Sequence, residues 1–211
     1  MVLFLASQST SRRNLLNQSK IPFTIIDQDA NETIDKNLKL EDQVKKLAQL
    51  KMEHVKLSDI TNYFKNFNLK LENSVCLVLT ADTLTETPLG KILGKPKDEE
   101  EAKNMVISLR GQSKISTSFC LEKKIYLNQN WKTVDNITQV VNSTCEIDID
   151  DIWIEKYLTY TPSKNIAGAL AIENYGMQFI KTINGSYSAI LGLPLYELRQ
   201  ALQAFGFFGC S

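Results

Sequence analysis

The residues able to do chemistry in this chain are cations gathered on a hydroxyl-rich loop and single carboxylates at the ends of apolar runs. The first loop reads Ser7-Gln8-Ser9-Thr10-Ser11-Arg12-Arg13 and leads into Leu15 and Leu16. Hydroxyls, free backbone N–H groups and two arginines meet there at a helix N-terminus, which in physical terms is an anion site. A capped helix with solvated arginines fits the same residues. Asp82 follows an apolar run directly, in Leu79-Thr80-Ala81-Asp82-Thr83. Ligands of open α/β sheets collect at the carboxyl ends of strands. A carboxylate at such a place holds a divalent cation, takes a proton from water, or simply forms an Asx turn. Lys51 stands four residues after Leu47 and seven after Val44. That places it on an apolar helical stripe, where a lysine either snorkels to solvent or meets an anion. The run Gly90-Lys91-Ile92-Leu93-Gly94-Lys95-Pro96 is one residue short of a P-loop, with Pro96 where a magnesium-holding hydroxyl belongs. The P-loop reading is rejected, and Lys95 is left as a cation directed at the cleft.

Other chemistries are poorly served. Cys76, Cys120, Cys145 and Cys210 are far apart and form no C-x-x-C pair, which argues against a zinc site or a disulfide framework and for free thiols. His54 is the only histidine and has no nucleophile motif nearby; a helix surface suits it better. Lys+Arg and Asp+Glu are 24 each, so no basic excess suggests nucleic acid as a partner. No apolar run approaches the roughly 20 residues of a membrane span, and Met1–Ala6 does not resemble a signal h-region. A cytoplasmic protein is expected.

The 211 residues suit one domain, with strands and helices alternating as in α/β folds. Val2–Ala6 and Phe23–Ile26 read as strands around a short helix that Ser9, Thr10 or Ser11 caps. A helix is expected over 40–57, with Val44, Leu47, Ala48 and Val55 buried. Ser74–Thr80 reads as a buried strand that Asp82 follows. Asp98–Leu109 reads as a helix with a capping-box-like Asp98 and Glu101. Residues 114–146 read as strands broken near Asn128-Gln129-Asn130, and 150–158 as a short helix. Ile166–Ile172 and Met177–Ile183 are expected to pair as strands. Pro194 opens a last helix carrying Leu195, Leu198, Leu202 and Phe205. A long sheet between two lobes, with a cleft, is the expected architecture.

In order and at family spacing, these residues resemble the Maf (septum-formation inhibitor) family of nucleoside triphosphate pyrophosphatases over nearly the whole chain. The family's opening matches Leu5-Ala6-Ser7-Gln8-Ser9, then Arg12 and Leu15-Leu16. Its acidic residue after the second strand matches Glu32, its lysine in L-A-x-x-K matches Lys51, and its A-D-T matches Ala81-Asp82-Thr83. Its K-P matches Lys95-Pro96, its A-G matches Ala167-Gly168, and its G-S-Y and G-L-P-L match Gly185-Ser186-Tyr187 and Gly192-Leu193-Pro194-Leu195. The chain departs from the family at Thr10-Ser11, where many members have Pro-Arg. It departs again at Lys114 for a histidine, at Ser118-Phe119 for Thr-Gly, and at Ile172-Glu173-Asn174 for I-Q-G.

The resemblance implies an α/β fold with an elongated mixed sheet in two lobes, usually a homodimer. It implies hydrolysis of a nucleoside triphosphate to the monophosphate and pyrophosphate with a divalent metal: magnesium by default, manganese or cobalt as alternatives. By resemblance Asp82, Lys51 and Glu32 are catalytic, with Asp82 and Glu32 holding the metal. Ser7, Ser9, Arg12, Arg13 and Lys95 meet the phosphates. Ser11, Thr83 and Glu173 fall where substrate choice varies. Thr83 points to thymidine and uridine triphosphates, whereas Ser11 and Glu173 lean toward a purine, modified or not. The other function left open is a nucleotide-binding regulator of cell division without turnover.

Overall fold

The computed structural model describes residues 1–209 except Ile34 and Lys36, and leaves out the side chain of Asn165; Cys210 therefore lies outside the described residues. The chain folds as α/β around one mixed sheet. Its strands are β1 (Val2–Leu5), β2 (Thr24–Ile25), β3 (Val75–Glu86), β4 (Ile92–Leu93), β5 (Gly111–Leu127), β6 (Asn130–Ile147) and β7 (Ile180–Asn184). The order is β2-β1-β3-β5-β6-β7, with β4 paired to the end of β3. β1 runs parallel to both β2 and β3, and the remaining neighbours are antiparallel.

The helices are α1 (Thr10–Gln18), α2 (Leu40–Glu53), α3 (Leu57–Asn66), α4 (Glu99–Ser108), α5 (Asp151–Tyr160), α6 (Tyr187–Ile190) and α7 (Leu195–Ala204). Strand alternation sends Leu77, Leu79 and Ala81 of β3 to one face. There they pack with Leu15 and Leu16 of α1 and Leu198, Ala201 and Leu202 of α7. Cys76 and Val78 point the other way, against Met52 of α2 and Ile60 and Phe64 of α3. A separate core joins α4 and α5 to the far part of β5 and β6 through Val106, Ile115, Ile147 and Tyr157.

Three expectations are corrected. The helix expected over 40–57 stops at Glu53, because Val55 leaves the helix to bridge Gln28 and the Lys56 amide donates to the Asp27 carbonyl. A further helix, α3, follows the break. The strand pair expected from 166–172 and 177–183 does not form: the first segment is replaced by a short 3-10 turn at Ala167–Ala169, and the second becomes strand only at Ile180, after the 3-10 segment Asn174–Phe179, and pairs with β6 instead. Gly168 and Ala169 have φ of 66° and 59°, a left-handed backbone that cannot continue a strand. The strand β3 does not end before Asp82. It pairs with β5 along its whole length, so Asp82 lies inside it, opposite Ser118. What ends near Asp82 is β1, whose last partner on β3 is Leu79.

Candidate active site

Where β1 stops and β3 continues, the sheet leaves a gap that the Ala6–Ser9 loop crosses; the Ala6 amide donates to the Leu79 carbonyl at 2.9 Å. Ser9 caps α1 by accepting from the Arg12 amide at 3.4 Å. The cap sets the first turn, and Arg12 projects from it into the gap. Its guanidinium donates to the Gly192 carbonyl (2.8 Å), the Ser7 hydroxyl (3.1 Å) and the Thr83 hydroxyl (3.3 Å).

On the opposite face of the sheet, Thr80 of β3 donates its hydroxyl proton to the Ala48 carbonyl of α2 at 2.7 Å. This bond sets the register between helix and strand. One turn further along α2 stands Lys51; two residues further along β3, on the same face, stands Asp82. Lys51 Nζ meets Asp82 Oδ1 at 2.5 Å and Glu32 Oε2 at 3.0 Å. Lys51 therefore does not snorkel; it joins two carboxylates. Glu32 comes from the loop before α2, which the fully buried Gln43 holds by accepting from the Asp35 amide and donating to the Thr33 carbonyl.

Arg12, Lys51 and Asp82 are each less than 10% exposed, so their charges are weakly screened. Burial pushes the Asp82 carboxyl above its ordinary value, while Lys51 and Arg12 pull it down. Burial lowers Arg12, opposed by Asp82 and Glu32. Among the described residues, Asp82 Oδ2 is buried without a hydrogen-bond partner. A buried carboxylate oxygen with nothing bonded to it is costly unless a ligand or water completes it.

These groups line one end of a cavity of about 1590 Å3, larger than the roughly 300–1,000 Å3 of ordinary ligand sites. Ser9, Ser11, Arg12, Glu32, Lys51, Asp82, Thr83 and Lys95 all line it. Lys95 is exposed at the mouth. The other end is apolar, with Leu93, Met105, Leu109, Ile115, Ile147 and Ile172. Three expected site residues are placed differently. Ser7 is buried behind the loop, bonded to Arg12. Arg13 does not line the cavity; it donates to the Gln8 side chain at 2.6 Å, and Gln8 in turn reaches Asp27 at 2.7 Å. Glu173 is half-buried at the start of the 3-10 segment Asn174–Phe179 and does not line the cavity.

The sequence reading also missed two supports. The Gly192 carbonyl that seats Arg12 carries no side-chain signal. Gln43 did carry one: it is a polar residue between Leu40 and Leu47 on the buried face of α2, where an amide needs partners.

The three described cysteines are buried and free. Burial raises the Cys76 thiol to about 12 and Cys145 to about 11, which leaves them protonated and unreactive. His54 ends α2 on the surface beside Asp29. No helix among the described residues is long and apolar enough to cross a membrane.

The family model described as Maf-like protein matches residues 2–205. A dTTP/UTP pyrophosphatase of Colwellia psychrerythraea is 36% identical over 209 residues, covering 98% of this chain and 90% of its own. A nucleoside triphosphate pyrophosphatase of Prochlorococcus marinus is 34% identical over 210 residues, 97% of this chain and 98% of its own. A dTTP/UTP pyrophosphatase of Ruminiclostridium cellulolyticum is 34% identical over 202 residues, 95% and 94% of the two chains.

Proposed function

The chain belongs to the Maf-like protein family, and from that premise we propose that it is a nucleoside triphosphate pyrophosphatase, splitting its substrate into the monophosphate and pyrophosphate. The observation that carries the reading is Lys51 bonded to both Asp82 and Glu32, with Asp82 Oδ2 buried and unpartnered beside Arg12. A triphosphate brings about four negative charges, which cations in a dry cavity stabilise far better than water-exposed ones do. Arg12 and the first turn of α1 meet the phosphates from one side, Lys51 and Lys95 from the other. Asp82 Oδ2 accepts a proton from a water molecule. The water oxygen bonds to the α-phosphorus, the bond from that phosphorus to the bridging oxygen breaks, and pyrophosphate leaves. Lys51 holds Asp82 ionised against its burial and fixes which oxygen faces the water.

The residues present fit a divalent cation. Two carboxylates face one space and one of them has a free buried oxygen, the hard donor set that magnesium shares with substrate phosphates. Asp82 and Glu32 would hold it, Glu32 after shifting part of its bond from Lys51. When bound, the ion supplies charge neutralisation on the phosphates and a more acidic water.

For the base, the reading departs from the purine lean of the sequence. Glu173 does not line the cavity, although Ser11 does, so the carboxylate on which the purine lean mainly rested gains no support. Thr83 does line the cavity, and relatives named for dTTP and UTP share about a third of their residues with this chain. A pyrimidine triphosphate is the substrate this supports. The reading places the enzyme in the cytoplasm, in keeping with free thiols, and as a homodimer, which rests on the resemblance and is checked by sedimentation. No observation favours a regulator without turnover.

The test is a panel of uridine, thymidine, guanosine and 7-methylguanosine triphosphates, with pyrophosphate and orthophosphate measured separately. Pyrophosphate should appear, fastest from the pyrimidines, and should stop when a chelator is added. Stoichiometric orthophosphate would overturn the activity, and a preference for either guanosine nucleotide would overturn the base assignment.

A further inference from the structure

Arg12 sits in a closed ring of hydrogen bonds, two members of which, Thr117 and Ala189, lie away from the cavity. Thr83 of β3 and Thr117 of β5 are direct cross-strand partners, and their hydroxyl oxygens are 2.9 Å apart. Thr117 Oγ1 is 2.6 Å from the Ala189 carbonyl at the end of α6. The same carbonyl accepts from the Gly192 amide at 2.9 Å, and the Gly192 carbonyl accepts from Arg12 Nε at 2.8 Å. The ring thus runs Arg12, Thr83, Thr117, Ala189, Gly192 and back to Arg12.

The direction of every proton in it is forced. A guanidinium only donates and a carbonyl only accepts, whereas a hydroxyl has one proton to give. Thr117 gives its proton to the Ala189 carbonyl. It therefore accepts from Thr83, and Thr83, its own proton committed, presents a lone pair to Arg12 Nη2 at 3.3 Å. Three of the five guanidinium N–H bonds are then held by Gly192, Ser7 and Thr83. Two remain, one on each terminal nitrogen, for a ligand.

We propose that Thr117 is a positioning residue for phosphate recognition: by fixing the polarity of the Thr83 hydroxyl it fixes the plane of Arg12 and the two N–H bonds it offers the triphosphate. Thr117 is fully buried and does not line the cavity, so it acts through its neighbours in the ring, Thr83 on one side and the Ala189 carbonyl on the other. Without its hydroxyl, the Thr83 proton is free to turn toward Arg12, where it opposes a donor. The inference rests on the pyrophosphatase reading for the identity of the ligand, but not for the ring itself.

The experiment compares the parent with Thr117→Val, which keeps shape and loses the hydroxyl, and Thr117→Ser, which keeps the hydroxyl. Two readouts are taken: the split of kcat and KM for uridine triphosphate, and the dissociation constant of a non-hydrolysable α,β-methylene uridine triphosphate measured by calorimetry. Thr117→Val should weaken binding of the analogue and raise KM about tenfold, the scale of one hydrogen bond to a charged group, with kcat changed less than KM. Thr117→Ser should stay within about twofold of the parent, as expected if the hydroxyl and not the methyl carries the effect. Equal binding by Thr117→Val and the parent would overturn the proposal. Equal loss in both variants would assign Thr117 to packing and overturn it too. A parent that binds the analogue without hydrolysing uridine triphosphate would defeat the pyrophosphatase reading, and the binding comparison would still decide the role of Thr117.

Discussion

Lys51 is the residue at which sequence and geometry diverge most usefully. From the stripe formed by Val44 and Leu47, a methionine at 51 would be expected to fit without loss of stability. The structure reverses that expectation, since Lys51 holds buried Asp82 at 2.5 Å and Glu32 at 3.0 Å. Removing one partner of a buried pair leaves an uncompensated charge, which costs about 3 kcal/mol. The cost depends on pH in a definite direction. Burial has already raised the Asp82 carboxyl above its ordinary 3.8, and Lys51 opposes the rise; without Lys51 it climbs further. A folded-state carboxyl that is raised destabilises the fold as pH rises through its unfolded value. Lys51→Met, unfolded by denaturant in the presence of a chelator, should be less stable than the parent at pH 7 and should regain parity below about pH 4, where the carboxyl is protonated in both states. Stability equal to the parent at pH 7 would mean that Lys51 does not hold Asp82. Turnover should be lost in this variant. It should also be lost in Asp82→Asn, by two to four orders of magnitude, the usual cost of a missing general base.

At the scale of elements, much of the site was legible because it depends on local pattern. Buried β1, the Ser9 cap and the arginine after it are all written in consecutive residues. For Lys51 the spacing on α2 left snorkelling and an anion contact both open, and only the resemblance put it in the site. The length of β3 was not legible, since its last residues are strand only because β5 runs beside them, and a partner about 30 residues away leaves no local trace. The segment at Ala167–Ala169 misled for a similar reason. Its residues are apolar enough for a strand, but the Tyr157 hydroxyl donates to the Ala169 carbonyl and accepts from the Ala171 amide, which stitches the backbone into turns. Gly168 sits at the centre of this with φ +66°, and its amide donates to the Gly94 carbonyl next to Lys95. A Cβ there would lie 3.0 Å from a Leu109 methyl and 3.3 Å from Thr85 Cβ. Gly168→Ala should therefore cost about 1–3 kcal/mol in thermal or denaturant unfolding. Because it displaces the Lys95 loop, KM should rise more than kcat falls. An unchanged melting temperature would show that the left-handed turn is not strained by a side chain.

Across the whole molecule, the sheet divides the labour. One face, through α2, supplies Lys51 and seats Asp82; the other, through α1, α6 and Gly192, supplies Arg12. The strand β3 alone belongs to both, because Asp82 and Thr83 are adjacent and alternate faces. A triphosphate lying over the end of β1 would meet cations from both sides of the sheet at once, with its α-phosphorus beside Asp82 Oδ2. That placement is the central claim, and its most direct test is the site of bond cleavage. Uridine triphosphate hydrolysed in water enriched in oxygen-18 should give uridine monophosphate carrying one heavy oxygen and pyrophosphate carrying none, read by mass spectrometry. Label in the pyrophosphate, or in released orthophosphate, would mean that water attacks a phosphorus other than the α, and would contradict the account.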